Sequence, residues 1–248
     1  MVMFYLHLAD SVYITSFNQN IVCLNLIKNE YIIISNKLAE HLLISLENSF
    51  YSSEDGIILS NQINLPDGFV ESIEHLKNIG ILSNVNYKTI SNTKLLHDKK
   101  FLGASNIDWH ISEDFFSKKI SFLLIIEAYF LLAMVHITVK LFGFNKLIKV
   151  IKNLKSDFKK TKPSRSNIDN LTAALDKACF YFPIGTKCLE WAATFTIMCL
   201  HRKWMCNIEI GVQTIPFAAH AWAKMYDEII ADSQDLPNSL SVILSEPF

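Results

Sequence analysis

Glycine is scarce in this 248-residue chain, with seven residues. None stands in a Gly-x-x-x-x-Gly-Lys-Ser/Thr run, so the sequence offers no recognisable phosphate loop and no intrinsic nucleotide cofactor is expected. The five cysteines, Cys23, Cys179, Cys188, Cys199 and Cys206, include no CxxC pair. An odd count with that spacing argues against a disulfide framework or a zinc ribbon and fits a reducing compartment. The start lacks a basic segment, and Asp10 and Ser11 interrupt its apolar residues, so no signal peptide is predicted and the chain is expected in the cytoplasm. Arginine is missing from the first 88 residues, which hold four lysines and nine acids for a net charge of −5. A phosphate backbone would repel such a segment, so no nucleic-acid partner is expected.

What the chain does have is apolar residues. They make up half of it, enough for a sizeable core in one or two domains. Charge is distributed unevenly: −5 over residues 1–88, +8 over 89–167 and −4 over 168–248. The three segments are read as a small N-terminal α+β domain, a connector with central helices, and a C-terminal catalytic domain.

The most informative stretch runs from Phe182 to Met198. Pro183 and Gly185 close one element, and an Ala-, Leu- and Met-rich run without Gly or Pro then opens a helix with Cys188 in its first turn. A helix N-terminus carries partial positive charge and unpaired amides, so a thiol there ionises more readily. A buried cysteine acting as a small apolar residue is the plain alternative. A second stretch, Gly211 to Asp232, reads as a strand, a turn and a hairpin. His220 and Asp232 are 12 residues apart, an even number. With an odd-length loop near Tyr226 they would sit directly opposite on paired strands, side chains on one face. A carboxylate beside an imidazole fixes its tautomer and stabilises the imidazolium formed when the ring takes a thiol proton. Cys188, His220 and Asp232 are therefore the candidate catalytic residues, and Asp227 and Asp235 are placed less well. Cys199 falls about 16 Å further along the same helix, too far to share the centre. A zinc site from Cys199, His201 and Cys206 matches no standard spacing, and no metal is expected.

Within residues 3–83, Phe4 to Phe17 is strand-like. Ile21–Ile27 and Tyr31–Ile34 read as a hairpin around Lys28-Asn29-Glu30. Helices are predicted over Lys37–Glu47 and over Phe69–Asn78, the second stopped by Gly80. A hairpin with short helices is the winged-helix arrangement, and an exposed strand edge beside an apolar helix suits an added peptide strand. A purely structural domain is the other reading. The run Ile120–Phe142 is long enough to cross a membrane, but Glu127 near its middle would cost about 2.5–3.5 kcal/mol, and a buried helix between the domains is expected instead. Glu127 and His136 are then satisfied core or groove residues. Lys146, Lys149, Lys152 and Lys155 read as a solvated basic face leading into a linker at Lys162–Asn167, followed by a helix over Ile168–Phe180.

Residues 168–248 resemble the leader peptidases of lasso-peptide biosynthesis, the B proteins of microcin-type clusters. The likeness is carried by Phe182-Pro183 ahead of Cys188-Leu189, by Ile210-Gly211-Val212, by Pro216-Phe217-Ala218-Ala219-His220-Ala221-Trp222, and by the spacings of 32 and 12 from Cys188 to His220 to Asp232. Residues 3–83 resemble the PqqD-like recognition element of the same proteins, through the hairpin Val22–Ile34 and Leu38-Ala39 with Leu42-Leu43. The resemblance implies an α+β architecture: a winged-helix, PqqD-like domain, central helices, and a transglutaminase- or papain-like cysteine protease domain. It implies a cysteine endopeptidase that removes the leader of a ribosomally made precursor peptide. The leader would add as a strand along Tyr31, Ile32, Ile33, Ile34 and Ser35. The partners implied are that precursor and an asparagine-synthetase-like cyclase, to which ATP is assigned. Where family members often carry Arg-Ser after the nucleophile, this chain has Glu190-Trp191. Other classes stay open: a non-catalytic peptide carrier, or an acyltransferase using the same three residues. A transcription regulator would need a basic recognition helix that the acidic N-terminal segment lacks.

Overall fold

The computed structural model describes residues 4–34, 57–59, 69–83, 93–94, 101–104, 118–155 and 162–247. Their contacts form two units. The first holds Met1–Gly103 with Val212–Phe217 and Asn238–Ile243, and the second holds Ala104–Gly211, Ala218–Pro237 and Leu244–Phe248.

In the first unit, the run Phe4 to Phe17 is two strands rather than one, β1 (Phe4–Leu8) and β2 (Val12–Phe17). Ser11 takes φ 62 and the Val12 amide donates to the Ala9 carbonyl, so the chain turns at the polar pair Asp10-Ser11. Strand β3 (Asn20–Asn25) returns antiparallel to β2 across a two-residue turn in which Asn18 takes φ 53. Strand β4 (Glu30–Ile34) pairs antiparallel with β3, and Asn25 Oδ1 accepts from the Ile27 and Lys28 amides to start the connection. The hairpin is the one the sequence predicts, but Leu26 and Ile27 fall in the connection and Glu30 in the returning strand. Two short strands follow, β5 (Ile57–Leu59) and, after helix α1 (Phe69–Asn78), β6 (Leu82–Ser83), which flank β1 in a three-stranded sheet. Strand β7 (Thr93–Lys94) lies parallel to β2, giving a second sheet in the order β4-β3-β2-β7.

Helix α1 ends where the sequence places its end. Gly80 takes φ +78, its amide donates to the Lys77 carbonyl, and the Ile81 amide donates to the Leu76 carbonyl. That pair of bonds is a Schellman motif, which needs a left-handed residue after the helix. It turns Ile81 back onto Leu76, and both join Val12, Ile14, Ile21, Cys23, Ile34 and Ile73 in one buried cluster. The other face of β2 is covered too: Thr15 Oγ1 lies 2.8 Å from Ser241 Oγ, both buried. The expected helix over Lys37–Glu47 lies outside the described residues, so Phe69–Asn78 is the one helix of the expected winged-helix arrangement among those described.

The second unit is built on three helices, α2 (Phe122–Asn153), α3 (Arg165–Tyr181) and α4 (Cys188–His201). Gly143, at φ 77 and ψ 174, interrupts α2. The predicted linker through Asn167 is shorter than expected. Ser164 caps α3 with its hydroxyl accepting from the Asn167 amide at 3.3 Å, so helix begins at Arg165. Of the lysine series on α2, Lys146 and Lys149 are exposed, whereas Lys152 pairs with the buried Glu246 at 2.8 Å. Helix α4 is buried all round from Glu190 to Leu200, as befits a helix apolar on every face. The sheet has the order β10-β9-β8-β11, from β8 (Asn207–Thr214), β9 (Phe217–Met225), β10 (Glu228–Ile230) and, after the short helix α5 (Leu236–Ser239), β11 (Ser241–Glu246).

Helices α3 and α4 are joined by a buried polar pair. Trp191 Nε1 donates to Asp176 Oδ1 at 2.8 Å, and the Trp191 ring stacks on Phe195 with centroids 5.3 Å apart. Burial pushes the Asp176 carboxyl up to about 6, against the pull of the indole hydrogen bond. A folded value above the unfolded one means that the charge develops at a cost to the fold as pH rises toward 6, and the cost persists above it. Asp176→Asn keeps an acceptor for Trp191 and removes the charge. It is expected to raise stability at neutral pH by on the order of 1–3 kcal/mol, with the gain vanishing near pH 4. Urea unfolding at both pH values measures this, and equal midpoints at neutral pH would contradict it.

Candidate active site

The placement of Cys188 begins with how α3 stops. Phe182 leaves the helix in an extended conformation, and Pro183 follows it. The chain then crosses Gly185 to Lys187, whose extended backbone precedes the first turn of α4. The Lys187 amide donates to Glu190 Oε2 at 2.9 Å, the backward half of a capping box. Glu190 Oε1 accepts from Nδ1 of His136 on α2 at 2.7 Å. One buried carboxylate thus ties the mouth of α4 to α2 and holds Cys188 as the first helical residue.

His220 stands on β9 and is 3 % exposed. Its Nε2 donates to Asp232 Oδ2 at 2.7 Å, and Asp232 Oδ1 accepts from the Ser233 amide at 2.8 Å. With Nε2 engaged, Nδ1 is the ring nitrogen left for the Cys188 sulfur, to which His220 is hydrogen-bonded. The structure therefore brings together Cys188, His220 and Asp232, though not by the expected strand geometry. The β9–β10 register pairs Met225 with Glu228 and Ala223 with Ile230 across the two-residue turn Tyr226-Asp227. Continued to Asp232, that register would place it opposite Ala221. The strand instead stops at Ile230, and Ala231 takes φ 56. This left-handed step redirects the chain and returns the carboxylate to the ring. Asp232 is in a bend, not on a strand.

Electrostatics couples the thiol to the ring. Burial opposes ionisation of Cys188, but the hydrogen bond with His220, amides of Ala221 and Leu189 directed at the sulfur, and the nearby imidazolium charge bring its pKa below the ordinary thiol value. Burial also disfavours the charged ring of His220, yet its bonds to Asp232 and Cys188 carry it up to about 9. Both shifts favour the thiolate–imidazolium pair. By contrast, burial pushes Cys23 and Cys179 up to about 12, and Cys199 rises as well, through burial and then its contact with Cys206. Those thiols are packing residues.

The other candidate residues have structural partners. Both Glu127 oxygens bond Arg202, at 2.8 and 2.6 Å, and that contact draws the Glu127 carboxyl below the ordinary carboxylate value. Arg202 follows His201 at the end of α4, where Lys203 takes φ 60 to close the helix. Among the described residues no group of three His, Cys, Asp or Glu side chains is arranged to hold a metal. Tyr31 to Ile34 lie in β4, the terminal strand of its sheet among the described residues; Ile34 is buried, Ile33 is exposed, and Tyr31 packs its ring on Phe217 at 5.3 Å. Ser35 lies outside the described residues.

Two polar arrangements, one half-buried and one buried, escape sequence reasoning. The His136–Glu190 pair links residues 54 apart, and only the position of Glu190, three residues into the helix after Lys187, signals a capping role. In the sheet, Trp222 Nε1 donates to Glu209 Oε2 at 3.0 Å and Ser245 Oγ to Glu209 Oε1 at 3.1 Å. Trp222 in turn lies against the His220 ring, with centroids 6.2 Å apart.

The ion pair has a direct reporter. Because the Cys188 pKa lies below the ordinary thiol value, its rate of alkylation by iodoacetamide is expected to persist at pH values where an ordinary thiol has already slowed. His220→Ala, which removes the hydrogen bond and charge that lower the thiol pKa, is expected to reduce that rate by about tenfold or more on the acid side of the ordinary thiol range. Because the folded value of His220 lies above its unfolded one, the imidazolium stabilises the fold fully below about pH 6.5, and this is lost as pH rises through 9. An alkylation profile that simply follows a free thiol would exclude the ion pair.

No curated protein and no solved structure matches the chain. Residues 131–245, from the middle of α2 to the last strand, match the family model of the transglutaminase-like superfamily. The C-terminal part of the chain is thus a transglutaminase-like domain, compatible with cysteine protease or acyltransferase chemistry.

Proposed function

We propose that this protein is a cysteine endopeptidase that removes the leader from a lasso-peptide precursor, acting with an asparagine-synthetase-like cyclase. The observation that carries the reading is the hydrogen-bonded series from Asp232 through His220 to Cys188, at the mouth of a buried helix. The thiolate of Cys188 attacks the scissile carbonyl. The negative charge that develops on its oxygen is met by the Cys188 amide, since the first amides of a helix have no acceptor within it. The imidazolium of His220 gives its proton to the leaving amine as the C–N bond breaks, which leaves a thioester on Cys188. His220, now neutral, takes a proton from water; the hydroxide adds to the thioester carbonyl, and the C–S bond breaks to release the leader as a carboxylic acid. Asp232 keeps the ring oriented and stabilises its charged form.

The recognition part of the proposal concerns β4. A terminal strand can take up a peptide as an added strand through its backbone, and Ile33 offers an exposed side chain for it to meet. A leader added along Tyr31 to Ser35 would be tethered to the protein that cuts it, which raises the effective concentration of the scissile bond. ATP belongs to the cyclase in this scheme, as the chain has no phosphate loop.

The test is incubation with the precursor peptide encoded beside the protein, with and without the cyclase, followed by mass spectrometry. Cys188→Ala and His220→Ala are expected to abolish cleavage while leader binding survives, and Asp232→Ala to be less severe. Ile33→Asp is expected to weaken leader binding by about tenfold. A product joined to an added amine, rather than a free acid, would make the protein an acyltransferase. Cleavage retained in Cys188→Ala would remove the nucleophile assignment.

A further inference from the structure

Helix α2 presents two faces of different fate. Ala128, Leu132 and Val135 are buried on the side that packs against α3 and α4. On the opposite side Leu123, Phe130, Met134, Ile137 and Leu141 are 42 to 76 % exposed. Their spacings of 7, 4, 3 and 4 keep them on one narrow line, about 27 Å long at the helical rise. Glu127, the one acid between 118 and 155, is held by Arg202. Large contiguous apolar stripes are not left to water without a use.

Charge decides among the occupants. Lys118 and Lys119 precede the stripe, Lys140 lies within its last turns, and Lys146 and Lys149 follow, all exposed. A second copy of the helix would bring lysines to lysines in either orientation. An anionic lipid surface meets the same arrangement with opposite charge, and its acyl boundary takes up the apolar residues. The inward face of α2 is committed to the protein, through apolar packing and through the Glu127–Arg202 and His136–Glu190 pairs on its two borders. The helix therefore offers a side to lipid, not its whole girth, and lies in the interface plane without crossing. Exposed Phe180 and Tyr181 end the helix whose Lys177 Nζ bonds the Lys118 carbonyl, so further aromatic surface stands near that end.

We infer that the outer face of α2, from Leu123 to Leu141, docks this protein on an anionic membrane surface. The inference is independent of the peptidase reading, and neither fails with the other. The experiment is flotation of the full chain with vesicles of phosphatidylcholine plus phosphatidylglycerol, and of phosphatidylcholine alone. The protein is expected to float with the anionic vesicles and about tenfold less with the neutral ones. Phe130→Glu with Ile137→Glu is expected to reduce partition by at least about tenfold. Lys118→Gln with Lys119→Gln, which leaves the stripe intact, is expected to reduce it by about tenfold at low salt and by little at high salt. Circular dichroism melts establish that each variant is folded. Failure of the wild-type chain to float with anionic vesicles overturns the inference, as does unchanged flotation of the folded Phe130→Glu, Ile137→Glu variant. A dimer that this variant dissolves, in the absence of vesicle binding, would assign the stripe to a second copy and overturn it equally.

Discussion

Burial of α4 is the constraint from which the rest of the second unit follows. A helix apolar on every side has to be surrounded, and here α2 and α3 pack against it. Its first residue, Cys188, is thereby set at the rim of a core instead of on a mobile loop, with only partial access to water. In that setting a lone thiolate would be costly. The imidazole of His220 removes much of that cost, and Asp232 makes the imidazole able to do so. Stability and reactivity rest on the same few contacts, so the site cannot be loosened without loosening the helix mouth.

Glu190 shows how closely the two are joined. It is a capping residue for α4, a hydrogen-bond partner of the half-buried His136, and a neighbour of the nucleophile two positions away. A residue with only one of these roles could be exchanged for glutamine at little consequence. In this position the charge serves the cap and the His136 contact together, and a buried carboxylate needs both partners to be tolerable. The same logic governs Glu209, which has Trp222 and Ser245 on its two oxygens. Buried acids in this unit have partners from other elements and so act as ties between them. Asp176 is such a tie as well, held by Trp191 of α4, and burial raises its pKa.

The two units differ in how their edges meet solvent. In the first, β4 is the terminal strand of its sheet among the described residues and carries a mixture of buried and exposed isoleucines. In the second, the exposed apolar surface is helical, along α2. A strand edge recognises an extended chain through backbone hydrogen bonds, whereas a helical stripe recognises a continuous apolar phase or a complementary helix. Peptide capture and surface docking would thus draw on different physical interactions in different parts of the molecule.

Local features were legible in the sequence where one residue type settles the backbone. Gly80 ended α1, a hairpin formed around Lys28-Asn29 although its connection starts earlier, at Leu26, and the Pro183–Gly185 interruption preceded a helix beginning at Cys188. The pairing of Cys188, His220 and Asp232 was likewise suggested by spacing and residue type. The way in which they meet was not, because a left-handed alanine at 231 and a two-residue turn leave no periodic signal. The expectation of a buried helix over 120–142 held on one face only. Composition counts apolar residues around the whole circumference, and only packing against α3 and α4 decides which of them are covered. Local chemistry alone therefore determined where helices start and stop and which side chains could react. Burial, the His136–Glu190 tie and the charge state of the thiol depended on residues distant in the chain, because desolvation and hydrogen bonding are set by what arrives from elsewhere in the fold.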